Sequence, residues 1–165
     1  MLGLTPFGLA HTLISLVAVV AGVISFFREG RISWGAGLGK TYVLFTIASC
    51  LTALGIFHHG GFGPPHVVAI LTLVVLAIAA FARSTRFFGR GARYVETISY
   101  SATFLFHMIP AVTETATRLP PGAPLVDSPD SPTLKAVYLV LLVAFLIGAV
   151  LQSMRMRNDY SFQVR

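Results

Sequence analysis

The chain has 165 residues, of which 55% are hydrophobic and only 11% are charged, and its mean hydropathy is +0.79. In soluble globular proteins about a quarter of the residues are charged, so this composition excludes a soluble enzyme or a nucleic-acid-binding domain. The net charge of +6 comes from basic residues that lie between apolar runs, as topology signals and contacts with anionic lipid headgroups do.

Five apolar runs predict five transmembrane helices within a single transmembrane domain that covers residues 1–165. Each run approaches the roughly 17–25 residues that cross a bilayer core. We therefore expect an all-α, polytopic membrane helix bundle. The runs lie at about 6–27, 41–57, 65–82, 97–117 and 133–154.

The distribution of basic residues predicts the orientation of the bundle. Ten of the twelve lysines and arginines fall in the connections after the first and third runs and in the C-terminal tail. The other two, Arg118 and Lys135, border the proline-rich connection before the last run. By the positive-inside rule, the N-terminus is expected outside and the C-terminus in the cytoplasm. This pattern predicts a multi-pass protein of the bacterial inner (plasma) membrane.

Small residues recur at helical spacings along the first run, where they favour close packing against another helix. His11 falls on the same stripe, so its side chain is expected to face protein and not lipid. At 1.5 Å per residue it lies roughly 8 Å below the start of the run. The small residues are Gly8, Ser15, Ala18 and Gly22.

The fourth run is the most polar, and it is expected to be surrounded by the others. Tyr100, Thr103, His107 and Glu114 are separated by spacings of 3, 4 and 7 residues, which return to one side of a helix. Ionisable side chains inside a membrane are energetically costly and are commonly functional. Pro110 lies in the same run and should kink it.

All five histidines fall in the predicted outer half of the protein. His11 and Glu114 are expected at similar depth, with His107 beneath them and His66 above. The other two histidines are His58 and His59. A kinked polar helix that faces three histidine-bearing helices predicts a binding pocket.

Three kinds of chemistry fit such a pocket. Zinc, iron or copper could be bound by His11, His66, His107 and Glu114, with His58 as an alternative to His66. A haem b could take its axial ligands from two facing histidines, here His11 and His107. A proton or quinol path could use the same titratable groups without any metal.

The leading hypothesis is a metal- or haem-binding membrane protein with redox or metal-assisted chemistry, although no catalytic residue is predicted. The alternative is a non-catalytic subunit or small carrier, packed in a homo-oligomer or larger membrane complex, that uses its histidines and glutamate for proton or lipid contacts. No nucleic-acid partner is expected.

Residues 39–82 resemble the DUF2306 family of small multi-span bacterial membrane proteins. In that family, a Gly-x-x-Tyr start of one span is followed by a Gly-Phe-Gly-x-x-His entry to the next. The matching positions are Gly39, Tyr42, Gly61, Phe62, Gly63 and His66. The resemblance covers roughly a quarter of the chain and implies a multi-span bacterial membrane protein.

Overall fold

The computed structural model describes residues 5–57 and 61–163, and side chains as far as residue 158. Within these residues the secondary structure is entirely helical, with a single 3₁₀ turn at Gly89–Gly91. The α-helices are α1 (Pro6–Glu29), α2 (Gly37–Leu54), α3 (Pro64–Ser84), α4 (Ala92–Arg118) and α5 (Pro132–Gln163).

Four helices in the described part of the chain are long and apolar enough to cross a membrane, namely α1, α2, α3 and the Pro132–Asn158 part of α5. The chain is thus an all-α membrane protein. This count is one lower than the five spans that the sequence predicts, because α4 is 27 residues long but carries many hydroxyl and ionisable side chains.

Helix α1 is bounded by residues whose chemistry suits helix ends. The Thr5 hydroxyl accepts a hydrogen bond from the Gly8 N–H at 3.1 Å, and Pro6 occupies the first turn, where its missing N–H costs nothing. The helix stops at Gly30, whose φ of 70° lies in the left-handed region that glycine adopts without a steric penalty.

Helix α2 begins at Gly37, four residues before the predicted start of its apolar run. The preceding loop folds back so closely that a Cβ at Gly39 would collide with the backbone of Ser33, and Ile32 is fully buried there. Tertiary packing of this loop therefore sets the beginning of the helix, and hydropathy does not.

The helices pack in sequence, α1 along α2 and α3 along α4, while α4 also contacts α5 and, at fewer positions, α1. Gly22 of α1 faces Phe104 of α4, where an added Cβ would lie 2.8 Å from the ring. Phe104 in turn meets Phe26 edge-to-face, with ring centroids 5.1 Å apart. These contacts close the centre of the bundle around Tyr42 and leave α5 mostly exposed.

Candidate functional site

The polar face of α4 points into the bundle. Its buried side chains are Thr97, Tyr100, Ser101, Thr103 and His107. A helix of this polarity satisfies its hydroxyls by bonding to its own backbone or to neighbouring helices, as residues in a membrane must. In the structure Tyr100, Thr103 and His107 are all buried on this face, as the spacing predicts. Pro110 is exposed.

His107 is the one histidine of α4 and is only 8% exposed. Its Nδ1 lies 3.3 Å from the Thr103 carbonyl oxygen, which can only accept a hydrogen bond, so Nδ1 carries the proton. In the neutral ring Nε2 then holds a free lone pair. Nε2 is buried and has no hydrogen-bond partner among the described residues. Buried polar atoms are nearly always satisfied, so this atom calls for a partner.

Two hydroxyl groups form a hydrogen-bonded chain beside His107. The Thr103 hydroxyl donates to the Tyr100 carbonyl at 2.8 Å, and the Tyr42 hydroxyl therefore donates to Thr103 Oγ1 at 2.9 Å. The Tyr42 ring lies beside the imidazole of His107, with centroids 6.2 Å apart.

His11 is half-buried on α1 and is anchored to α2. Its Nδ1 lies 2.8 Å from Thr52 Oγ1, whose own proton is directed at the carbonyls of Ala48 and Ser49. Nδ1 of His11 is therefore the donor, and Nε2 again keeps the lone pair. One turn along, the hydroxyls of Ser15 and Ser49 bond to each other at 2.7 Å.

The structure places His11, His107 and Glu114 on two helices, α1 and α4, that contact each other. They do not form a ligand set. Glu114 is exposed, contrary to the inward face expected for it, and its carboxylate pairs with Arg118 one turn away. Across the described ranges, no three His, Cys, Asp or Glu side chains lie close enough together to hold a metal ion.

His66 is buried at the start of α3, and its surroundings serve the helix end. Its Nδ1 accepts a hydrogen bond from the Gly63 N–H at 3.2 Å, so the proton of the neutral ring lies on Nε2, opposite to His107. The rings of Phe57 and Phe62 both stack on the imidazole, with ring centroids at 4.8 Å and 5.2 Å from its own. The Nε2 of His66 is buried without a hydrogen-bond partner among the described residues, as that of His107 is, but it carries the proton and so offers no lone pair to a metal. His58 and His59 lie outside the described residues.

The side chains that anchor the two imidazoles are not among the predicted site residues. Thr52 carries no distinguishing sequence signal. Thr103 and Tyr42 do carry one, because each lies on a stripe of hydroxyl residues at helical spacing, and the two stripes face each other. The two stripes of hydroxyl residues are therefore the sequence signal from which the buried polar contact between α2 and α4 could be predicted.

Comparison of the chain with family models, with curated proteins and with solved structures finds no match.

Proposed function

We propose that this chain is a five-span inner-membrane protein that binds a metal centre, a haem iron or a metal ion, through Nε2 of His107, with His11 as the second histidine. One observation carries the proposal: a buried imidazole nitrogen with a free lone pair and no partner in the described chain. Imidazole nitrogen is a common ligand of zinc, copper and haem iron.

The anchoring of the two rings fits this role. A histidine that binds a metal usually donates its other ring N–H to a carbonyl, carboxylate or water, which fixes the tautomer and the ring orientation. His107 donates to a backbone carbonyl and His11 to a threonine hydroxyl, so both present Nε2. When bound, the metal centre would supply Lewis-acid or redox chemistry, and the chain would supply the ligands and the apolar enclosure.

The fifth span in this proposal is α4, with the N-terminus outside and the C-terminus in the cytoplasm. Its 27 residues extend roughly 40 Å at 1.5 Å per residue, which exceeds the thickness of a bilayer core. The polar side chains in its middle, between Thr97 and His107, include five that are buried, so the composition of this part does not prevent it from spanning. An odd number of spans agrees with the orientation that the basic residues predict.

We also propose membership in the DUF2306 family on the basis of residues 39–82. The residues that carry this resemblance have structural roles: Gly39 packs against Ser33, Tyr42 bonds to Thr103, and Gly63 bonds to His66. Because each of these residues makes a structural contact, the motif is more than a coincidence of residue types, and this supports the proposed membership.

A second function is the non-catalytic subunit or small carrier of a larger complex that uses its histidines and glutamate for proton or lipid contacts, and the positions of three of these groups favour proton contacts. Gly22 of α1 faces Phe104, and Gly30 at the end of α1 is joined through Gln152 to Ser101, so α1 and α4 are antiparallel. His107 then lies roughly 10 Å deeper along the helices than Glu114, at 1.5 Å per residue. Glu114 is thus exposed near the end of α4, His11 is half-buried on the neighbouring helix, and His107 is buried in the interior.

Elemental analysis and a visible spectrum of protein purified without chelator test the first proposal. Stoichiometric metal or a Soret band is the expected result. Metal below stoichiometry together with the absence of a Soret band would contradict the first proposal. The non-catalytic subunit or small carrier would then be the remaining proposal.

A further inference from the structure

A cavity of about 120 Å³ lies at the opposite end of the bundle from His11 and Glu114, between the end of α1 and the last turns of α5. For comparison, an engineered cavity of about 150 Å³ binds benzene, so this space can hold a small polar group. Its lining residues are Glu29, Gly30, Arg31, Gln152, Arg155 and Met156.

The cavity wall contains charges of both signs that do not pair with one another. Glu29, Arg31 and Arg155 all line it, yet the ion pairs of the described chain are Arg83 with Glu96 and Arg118 with Glu114. Charged groups this close at a membrane surface gain by binding a counter-charge. A ligand that carries one positive and one negative group would satisfy both signs at once.

Hydrogen bonds to the buried side chain of Gln152 hold the main chain that lines the cavity in place. Gln152 is buried, accepts a hydrogen bond from the Ser101 hydroxyl at 2.9 Å and donates to the Gly30 carbonyl at 3.1 Å. The guanidinium of Arg155 covers Gly30 so closely that a methyl group there would collide with it. The cavity therefore does not depend on loop flexibility for its shape.

The two kinds of charge arise from different parts of the wall. Glu29 is the last residue of α1, and the carbonyls at a helix C-terminus carry partial negative charge, so this part favours a cation. Arg31 and Arg155 present guanidinium groups, which bind phosphate through paired hydrogen bonds.

We infer that this cavity binds the headgroup of a zwitterionic phospholipid, with the ammonium group at Glu29 and the phosphate at Arg31 and Arg155. The apolar surface beside the cavity supports a lipid and not a soluble phosphate compound. Phe27 of α1 is 88% exposed, and Leu151 of α5 is also exposed, so both helices offer surface to acyl chains. This inference does not depend on the histidine site.

The test uses the full chain in nanodiscs that contain equal amounts of phosphatidylethanolamine and phosphatidylglycerol, with retained lipids counted by native mass spectrometry. We expect the wild-type protein to retain phosphatidylethanolamine in preference. Arg155→Gln and, as a second variant, Arg31→Gln should each weaken retention roughly fivefold, as expected for one basic residue near a membrane surface. Glu29→Gln should abolish the preference for phosphatidylethanolamine.

Arg157→Gln is the matched control, because Arg157 is exposed on the same helix and does not line the cavity. It should retain lipid as the wild-type protein does. Equal retention of both lipids by the wild-type protein, or equal effects of Arg155→Gln and Arg157→Gln, would overturn the inference. Displacement of the lipid by soluble glycerophosphoethanolamine at equal concentration would overturn it as well, because the acyl chains would then contribute nothing.

Discussion

Tyr42 and Thr103 join α2 to α4 through a hydrogen bond of 2.9 Å between two buried hydroxyl groups. The bond lies next to His107, since Thr103 also provides the carbonyl that accepts from Nδ1 of that ring. The orientation of the candidate site and the packing of the two helices therefore depend on the same residue.

Replacing Tyr42 with Phe should lower the free energy of unfolding, because the Thr103 hydroxyl loses its partner on α2. Side-chain hydrogen bonds in membrane proteins are worth about 0.6 kcal/mol on average and up to about 1.7 kcal/mol. A double-mutant cycle with Thr103→Val, measured by unfolding in mixed micelles, isolates the coupling energy. A coupling energy of zero would show that the two hydroxyls do not stabilise each other.

Replacing Gly22 with Ala should disrupt the contact between α1 and α4. The added Cβ would lie 2.8 Å from Phe104 and 3.0 Å from Tyr42, and Phe104 is held by Phe26. Overpacking of this kind typically costs about 1–3 kcal/mol. Gly148→Ala is the control, because a Cβ at Gly148 meets nothing within 4 Å. Equal melting temperatures for the two variants would mean that the helices do not meet at Gly22.

Replacing Gln152 with Leu should destabilise the attachment of α5 to the rest of the bundle. The change leaves the Ser101 hydroxyl and the Gly30 carbonyl without the partner that connects three helices. A buried polar group left unsatisfied costs about 1–3 kcal/mol. Ser153→Ala should have little effect, since the Ser153 hydroxyl bonds only to the Ala149 carbonyl of its own helix. Thermal unfolding of the two variants gives the comparison.

The topology makes a prediction about labelling in intact cells. With Cys50 changed to Ala, a cysteine at Ser128 should react with an impermeant maleimide added outside, and a cysteine at Ser84 should react only after the membrane is permeabilised. Ser84 is the last residue of α3 and Ser128 lies in the connection between α4 and α5, so the two residues are on either side of α4. If both reacted from the same side, α4 would not be a span.

The helical period is what made the inner face of α4 predictable. Tyr100, Thr103 and His107 lie on one side of any helix drawn through them, so their common face follows from the spacing, and the structure buries that face. The same spacing misplaces Glu114, because the helix ends four residues later and the carboxylate reaches Arg118 at its surface. Near a helix end, a charged side chain can pair with a neighbour at the surface, and this pairing competes with burial of the side chain in the bundle.

Tautomers and helix boundaries could not be predicted, since both depend on tertiary contacts. His66 and His107 have the same side chain, but one accepts at Nδ1 from Gly63 and the other donates from Nδ1 to Thr103. Only the second ring keeps a lone pair at Nε2. The sequence also gives no sign that the loop at Ser33 packs on Gly39 and moves the start of α2.

The most direct test of the proposed metal centre compares bound metal and visible absorption in His107→Ala and His66→Ala with the wild-type protein. Circular dichroism should show that each variant keeps its helical content. We expect that His107→Ala loses the metal or Soret band and that His66→Ala retains it. If His107→Ala keeps its fold and has the same metal content and visible absorption as the wild-type protein, the proposed metal centre at His107 would be contradicted.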